Sequence, residues 1–238
     1  MIVDMLVNIG YKKNNRLDCS VEKLIETMDA NNIDKSVAIC QSEYVDNEYV
    51  YESVRKYPDR LIGIGMVNPW DPDAENKLLQ CFEDYHFRGV KLNCMRMGLA
   101  ADRHSLLDPL YQIIEDHHGF IIGHCMSDLF SLPEKWREMA EKFPKVPVLM
   151  SHIGSPNMHE NAIECCKRLD NLYLITAGAF PYHIRDAYRE LGAEKLFFAS
   201  DGLYGSAWQE LMTLDHLIKD EEDKKKIKGM NAVNILGL

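Results

Sequence analysis

The chain reads as an α/β protein whose strands and helices close into one (β/α)8 TIM barrel, and three observations predict it. Eight short apolar runs alternate with eight amphipathic stretches from end to end, the pattern of repeated βαβ units on a parallel sheet. The runs are nearly continuous in apolar character rather than alternating, as strands covered on both faces require. The length of 238 residues lies close to the roughly 250 of a complete barrel.

The strand candidates are residues 2–7, 35–40, 61–67, 88–93, 120–124, 147–151, 172–176 and 195–200. Helical spacing of apolar residues follows them at 20–31, 47–57, 72–85, 105–117, 131–143, 157–169, 182–191 and 206–219. Local chemistry supports the boundaries. Ser20 is a good N-cap type, with Glu22 at the positive end of the helix dipole. Asp71-Pro72 places a cap before a proline at the first helical position. Pro133 sits early in a helix, where its missing N–H does no harm. Gly119 and Gly192 follow helix ends, where a left-handed residue is favoured. The run 220–228 is acidic first and basic second, and on a helix it predicts Asp220–Lys224, Glu221–Lys225 and Glu222–Lys226 pairs on a solvated face. An open doubly wound sheet would carry a G-x-G-x-x-G turn after its first strand; only Gly10 follows this one. No linker or composition shift divides residues 1–238.

Composition bounds the function. Hydrophobic residues make up 46% and charged residues 27%, as in a soluble globular domain. No apolar run approaches the ~18 residues of a membrane span. The opening MIVDMLVNIG has no basic n-region and reads as a strand rather than a signal peptide. The net charge of −10 would repel nucleic acid and anionic membrane alike. Seven cysteines with no C-x-x-C pair predict reduced thiols and a cytoplasmic location. The expected partner is a small-molecule substrate.

In such a barrel the C-terminal strand ends share one mouth, where the active site is built. Three runs end alike, with an apolar stretch, a small residue and then a ligand or acid–base residue: His124, His152 and Asp201. Two histidines and a carboxylate at one mouth suit metal binding, or acid–base work without a metal. Lys91 would lie within the barrel with its amine near the mouth, either at the site or in a structural ion pair with Asp201 or Asp4. Arg96 follows in the next loop, placed to hold a substrate carboxylate or to stand in solvent. Tyr44, Trp70, His159, His183 and Tyr204 fall near the rim, and the short loops leave the mouth open or completed by a neighbouring subunit in a homo-oligomer.

Over nearly its whole length the chain resembles the amidohydrolase-related (amidohydrolase 2) branch of the amidohydrolase superfamily, which holds metal-dependent hydrolases and decarboxylases. The resemblance rests on the IVD opening, LIGIGMVNPWDPDA, FRGVKLN, IIGH, VLMSHIGS, LGAEKLFFASD and the C-terminal MNAVNILGL, in that order. Members of that branch open with D-x-H-x-H, whose histidines ligate the metal; here those positions are Leu6 and Asn8. Where many relatives have KLHP, this chain has Lys91-Leu92-Asn93-Cys94. The resemblance implies that His124 and Asp201 remain of the metal set, with His152 as the catalytic histidine; Lys91, Arg96 and Asn8 are the candidate substrate-binding residues. A leucine cannot coordinate and an Asn oxygen is a weak, hard ligand, so the expectation is no metal or one weakly bound divalent ion such as zinc. Cys94 or Cys125 would be the soft ligands to add, against the commoner reading of both as buried inert thiols.

Three readings follow. The first is an enzyme hydrolysing a small-molecule ester or lactone with weak or no metal dependence, with Asp201 as base and the histidines and Lys91 polarising the carbonyl. The second is a metal-dependent hydrolase or decarboxylase using His124, His152 and Asp201. The third is a catalytically inactive ligand-binding barrel.

Overall fold

A computed structural model describes residues 1–11, 18–202 and 204–238. The first half of the chain runs β1 (Val3–Ile9), α1 (Val21–Ala30), β2 (Lys35–Cys40), α2 (Asn47–Lys56), β3 (Leu61–Gly63), β4 (Gly65–Met66), α3 (Ala74–Glu83) and β5 (Gly89–Leu92). Then come α4 (Cys94–Met97), α5 (His104–Asp116), β6 (Phe120–Met126), α6 (Pro133–Lys142), β7 (Val148–Ser155), α7 (His159–Arg168) and β8 (Leu172–Ile175). The chain closes with α8 (Pro181–Leu191), β9 (Leu196–Phe197), α9 (Ala207–Leu217), α10 (Glu221–Lys225) and α11 (Asn231–Leu236).

All strand pairings are parallel, in the orders β1-β2-β3 and β4-β5-β6-β7-β8-β9. The expected third strand, 61–67, is thus cut in two at Ile64. Its first half pairs with β2 and its second with β5, while the Ile64 N–H still reaches Ala38 O at 3.1 Å. The ring closes where the first and last strands meet. Met5 N–H donates to Phe198 O at 3.1 Å and Asn8 N–H to Gly202 O at 2.9 Å. β9 is shorter than the expected 195–200 because the Phe198 N–H turns out of the ladder to Ile227 O, 2.9 Å away.

Side chains finish that seam. The buried Asp4 carboxylate accepts from Ser200 N–H at 2.9 Å, Ser200 Oγ–H at 2.5 Å and Leu6 N–H at 3.2 Å. Burial still dominates and pushes Asp4 up to about 6, against those hydrogen bonds. Val3, Met5, Leu6 and Val7 are fully buried around it, which accounts for the apolar reading of the run.

Several local expectations shift for physical reasons. Ser20 does cap α1, accepting from Lys23 N–H at 3.3 Å. Asp71 does not cap α3: it folds back onto Asp73 N–H at 2.9 Å and pairs with Lys77 at 2.5 Å, so the helix starts after Asp73. At the end of α5 His118 takes the left-handed conformation. Gly119 is needed instead because a Cβ there would sit 2.9 Å from the Phe82 ring. In the charged run Asp220 caps α10, and pairs form three residues apart, Glu221–Lys224 at 2.6 Å, Glu222–Lys225 at 2.6 Å and Asp223–Lys226 at 3.4 Å. No described helix is long and apolar enough to cross a membrane. Among the described residues the seven cysteines are buried and no disulfide joins them.

Candidate active site

β6 and β7 pair in register with His124 beside Ser151, so two strands deliver neighbouring imidazoles to one end of the ring. Gly123 lets the Trp136 ring lie against β6, where a Cβ would meet it at 2.8 Å. Trp136 Nε1–H then donates to His124 O at 3.1 Å, and Ser151 Oγ–H holds Gly123 O at 3.0 Å. The two imidazole rings stand edge to face, 5.0 Å apart. His152, Ile153 and Asp201 all have positive φ, at 69°, 49° and 51°. Such conformations cost of order 1–3 kcal/mol each and cluster at functional sites.

Asn8 at the end of β1 donates through Nδ2–H to Asp201 Oδ1 at 2.9 Å. His152 Nδ1 lies 2.7 Å from Ala177 O. A carbonyl only accepts, so Nδ1 carries the hydrogen and the neutral ring keeps a bare Nε2. Burial pushes His152 below its ordinary value, opposed by the Asp201 charge. His124 is pushed down to about 3, by burial first and then by the His152, Lys91 and Arg96 charges. Its buried Nε2 has no hydrogen-bond partner among the described residues.

Lys91 projects from β5 and is 3% exposed. Burial lowers its pKa and the Asp201 charge opposes that. No hydrogen bond or ion pair to another described residue holds its ammonium, so the ion pairs with Asp201 or Asp4 considered from sequence do not form. Arg96 lies on α4, where a loop was expected. Asn93 Oδ1 caps this short helix by accepting Arg96 N–H at 3.2 Å, and the guanidinium reaches Glu43 at 3.4 Å.

Asn8, Lys91, Arg96, His124, His152 and Asp201, the six residues singled out by sequence, therefore line one cavity of about 190 Å³. Ser42, Glu43, Asn93, Met95 and Tyr204 complete the lining. Of the rim residues only Tyr204 contributes. Tyr44 and Trp70 stand exposed, and His159 stacks on the buried His183, 4.1 Å between centroids, which in turn meets Ser155 at 3.0 Å. Cys94 and Cys125 lie outside the lining, with thiols driven upward by burial. Ser42 and Glu43 sit just past β2, so the strand-end rule would have found them had it not been confined to histidine and aspartate. Glu210, on α9, carries no sequence signal; burial lifts it to about 7.

The histidine shift has a measurable consequence for stability. An unfolded histidine titrates near about 6.5, so below that pH the unfolded chain takes up a proton that folded His124 refuses. The contribution is complete above the unfolded value and is lost as pH falls toward about 3. Between about pH 6.5 and 4.5 the wild type is expected to lose roughly 2 kcal/mol more unfolding free energy than H124Q. Urea denaturation of both proteins across that window checks it.

The comparisons with known proteins agree with this fold. A sequence profile described as Amidohydrolase matches residues 5–238. Gamma-resorcylate decarboxylase from Polaromonas sp. (strain JS666 / ATCC BAA-500) is 22% identical over 248 residues, covering 81% of this chain and 75% of that protein. A solved TIM-barrel protein from Bordetella bronchiseptica superposes with a TM-score of 0.83 at 18% identity, over 99% of this chain and 98% of that one. A dihydroxybenzoic acid decarboxylase from Polaromonas sp. JS666, solved with manganese and the inhibitor 2-nitroresorcinol, gives 0.81 at 16% identity, over 100% and 97%.

The donors of this chain do not fit a resident ion of that kind. Among the described residues no three His, Cys, Asp or Glu side chains gather closely enough to hold a metal. Leu6 is apolar, the Asn8 amide points its N–H at Asp201, and the Lys91 ammonium shares the cavity. Among the described residues the nitrogens left without a hydrogen-bond partner there are His124 Nε2 and the bare Nε2 of His152, two donors on neighbouring strands.

Proposed function

Since the chain belongs to the amidohydrolase family, we propose that it is a non-oxidative decarboxylase of a small single-ring carboxylic acid, working without a resident divalent metal. The observation that carries the reading is the buried Lys91 ammonium, unpaired among the described residues, in a cavity that also holds Asp201 and His152. A buried charge without a partner is costly, and an anionic ligand would supply one. The exposed edge of the Arg96 guanidinium offers a second contact to a carboxylate.

The cavity volume fits the size of such a substrate: an engineered cavity of about 150 Å³ admits benzene, and this one holds about 190 Å³. Similarity to a gamma-resorcylate decarboxylase supports a hydroxylated aromatic acid. In the proposed reaction Asp201 delivers a proton to the ring carbon that bears the carboxylate, assisted by electron release from a ring hydroxyl. The carbon–carbon bond then breaks, its electron pair restores the aromatic ring, and carbon dioxide leaves. One proton is consumed per turnover. His152, with its bare Nε2, returns that proton to Asp201 from solvent.

The test incubates the purified protein with 2,6-dihydroxybenzoate, 5-carboxyvanillate and a panel of lactones, with and without chelator, and follows products by proton NMR. Loss of the carboxyl group that is insensitive to chelator is expected. Lactone opening with no decarboxylation would replace the reading with hydrolysis, for which the bare His152 Nε2 is a suitable base. Turnover that appears only with added manganese would overturn its metal-free part. Ligand-induced stabilisation without any turnover would point to a binding barrel.

A further inference from the structure

The hydrogen bond that sets the His152 tautomer comes from a peptide group that is itself held from the other side. Thr176 O accepts from Ala179 N–H at 3.0 Å, closing a turn over residues 176–179. Gly178, third in that turn, has φ +65°, while Ala177 is not among the positive-φ residues. Positive φ at the third position alone is the type II turn; the type I turn differs by a flip of the central peptide. That central peptide joins Ala177 to Gly178. Its C=O accepts from His152 Nδ1 at 2.7 Å, and its N–H donates to Glu210 Oε1 at 3.1 Å.

A peptide group is planar, with its C=O and N–H pointing in opposite directions. Flipping it would turn an N–H toward His152, and Nδ1 would then have to accept. The hydrogen would move to Nε2, the nitrogen left bare in the present arrangement. We propose that Glu210 is a positioning residue: by holding the Gly178 N–H it keeps the turn in its type II form and so keeps His152 in its Nδ1–H tautomer. Glu210 lies outside the cavity lining, and its hydrogen bond to the Gly178 N–H reaches His152 through one peptide plane. The proposal rests on the reading of the cavity as an acid–base site only for its catalytic consequence.

The experiment reads the tautomer directly. Protein labelled with ¹⁵N in its histidines is compared as wild type, E210Q and E210L by long-range ¹H–¹⁵N correlation, with H152N assigning the signals. The wild type is expected to show His152 as the neutral Nδ1–H form. E210Q keeps an acceptor oxygen and should match it. E210L should show a substantial Nε2–H population, and a crystal structure of the variant should show the 177–178 peptide flipped. E210A, which removes the acceptor without adding apolar bulk, replaces E210L if that variant does not fold. An unchanged tautomer in the acceptor-less variant would overturn the proposal, as would equal disturbance in E210Q, which would implicate charge rather than the hydrogen bond. With a decarboxylation substrate, E210L should lose roughly 10–100-fold in kcat, the range for a misplaced catalytic group, with KM little changed. A shifted tautomer in a protein that turns over no substrate would support the latch and count against the decarboxylase reading alone.

Discussion

Asp201→Asn is expected to reduce kcat on any true substrate by about 10³-fold or more, near the upper part of the range for removing a general acid or base. The substitution keeps the shape of the side chain, and its carbonyl oxygen can still accept from Asn8 Nδ2–H, now 2.9 Å from Oδ1. The left-handed backbone at this position, φ 51°, is also one that Asn tolerates better than most residues. Folding and ligand affinity should therefore survive, and only the proton carrier is lost. Steady-state kinetics alongside calorimetric binding of a product analogue checks both halves. Unchanged turnover in the folded variant would sink the mechanism.

Lys91→Met should move stability and activity in opposite directions. Methionine matches the lysine stem closely in length, and among the described residues Lys91 has no hydrogen bond or ion pair to break. Removing a buried ammonium that no described residue pairs directly should stabilise the fold by about 1–2 kcal/mol, in line with hydrophobic replacements of buried charge. Affinity for a carboxylate ligand should fall instead, and kcat/KM should drop by about 10²-fold or more, as when a buried charged contact is truncated. Thermal unfolding and kinetics on the same preparation separate a functional lysine from a structural one. A variant that loses stability would assign Lys91 to the framework.

The sequence made the mouth legible because strand ends in a parallel barrel converge whatever their separation along the chain. His124, His152 and Asp201 were found by that rule, Lys91 by its strand position, and Asn8 through the family resemblance. Arg96 was placed in a loop, yet it lies on α4, because Asn93 caps a helix there. Glu43 and Ser42 obey the same strand-end geometry but carry no residue pattern of their own. Glu210 was invisible because its one contact in this network, the Gly178 N–H, lies 32 residues away in the chain.

Local patterning by itself determined the alternation of strands and helices and which residues reach the mouth, since apolar periodicity and turn chemistry act over a few residues. It could not say where the third strand would break or how the ring would seal. That seam depends on Asp4 meeting Ser200, 196 positions apart. Nor could it assign protonation states. Desolvation drives His124 to about 3, and the hydrogen on His152 is set by a carbonyl from a different turn. Burial and hydrogen-bond partners are supplied by segments distant in sequence, so only the folded barrel decides which form of each group faces the substrate.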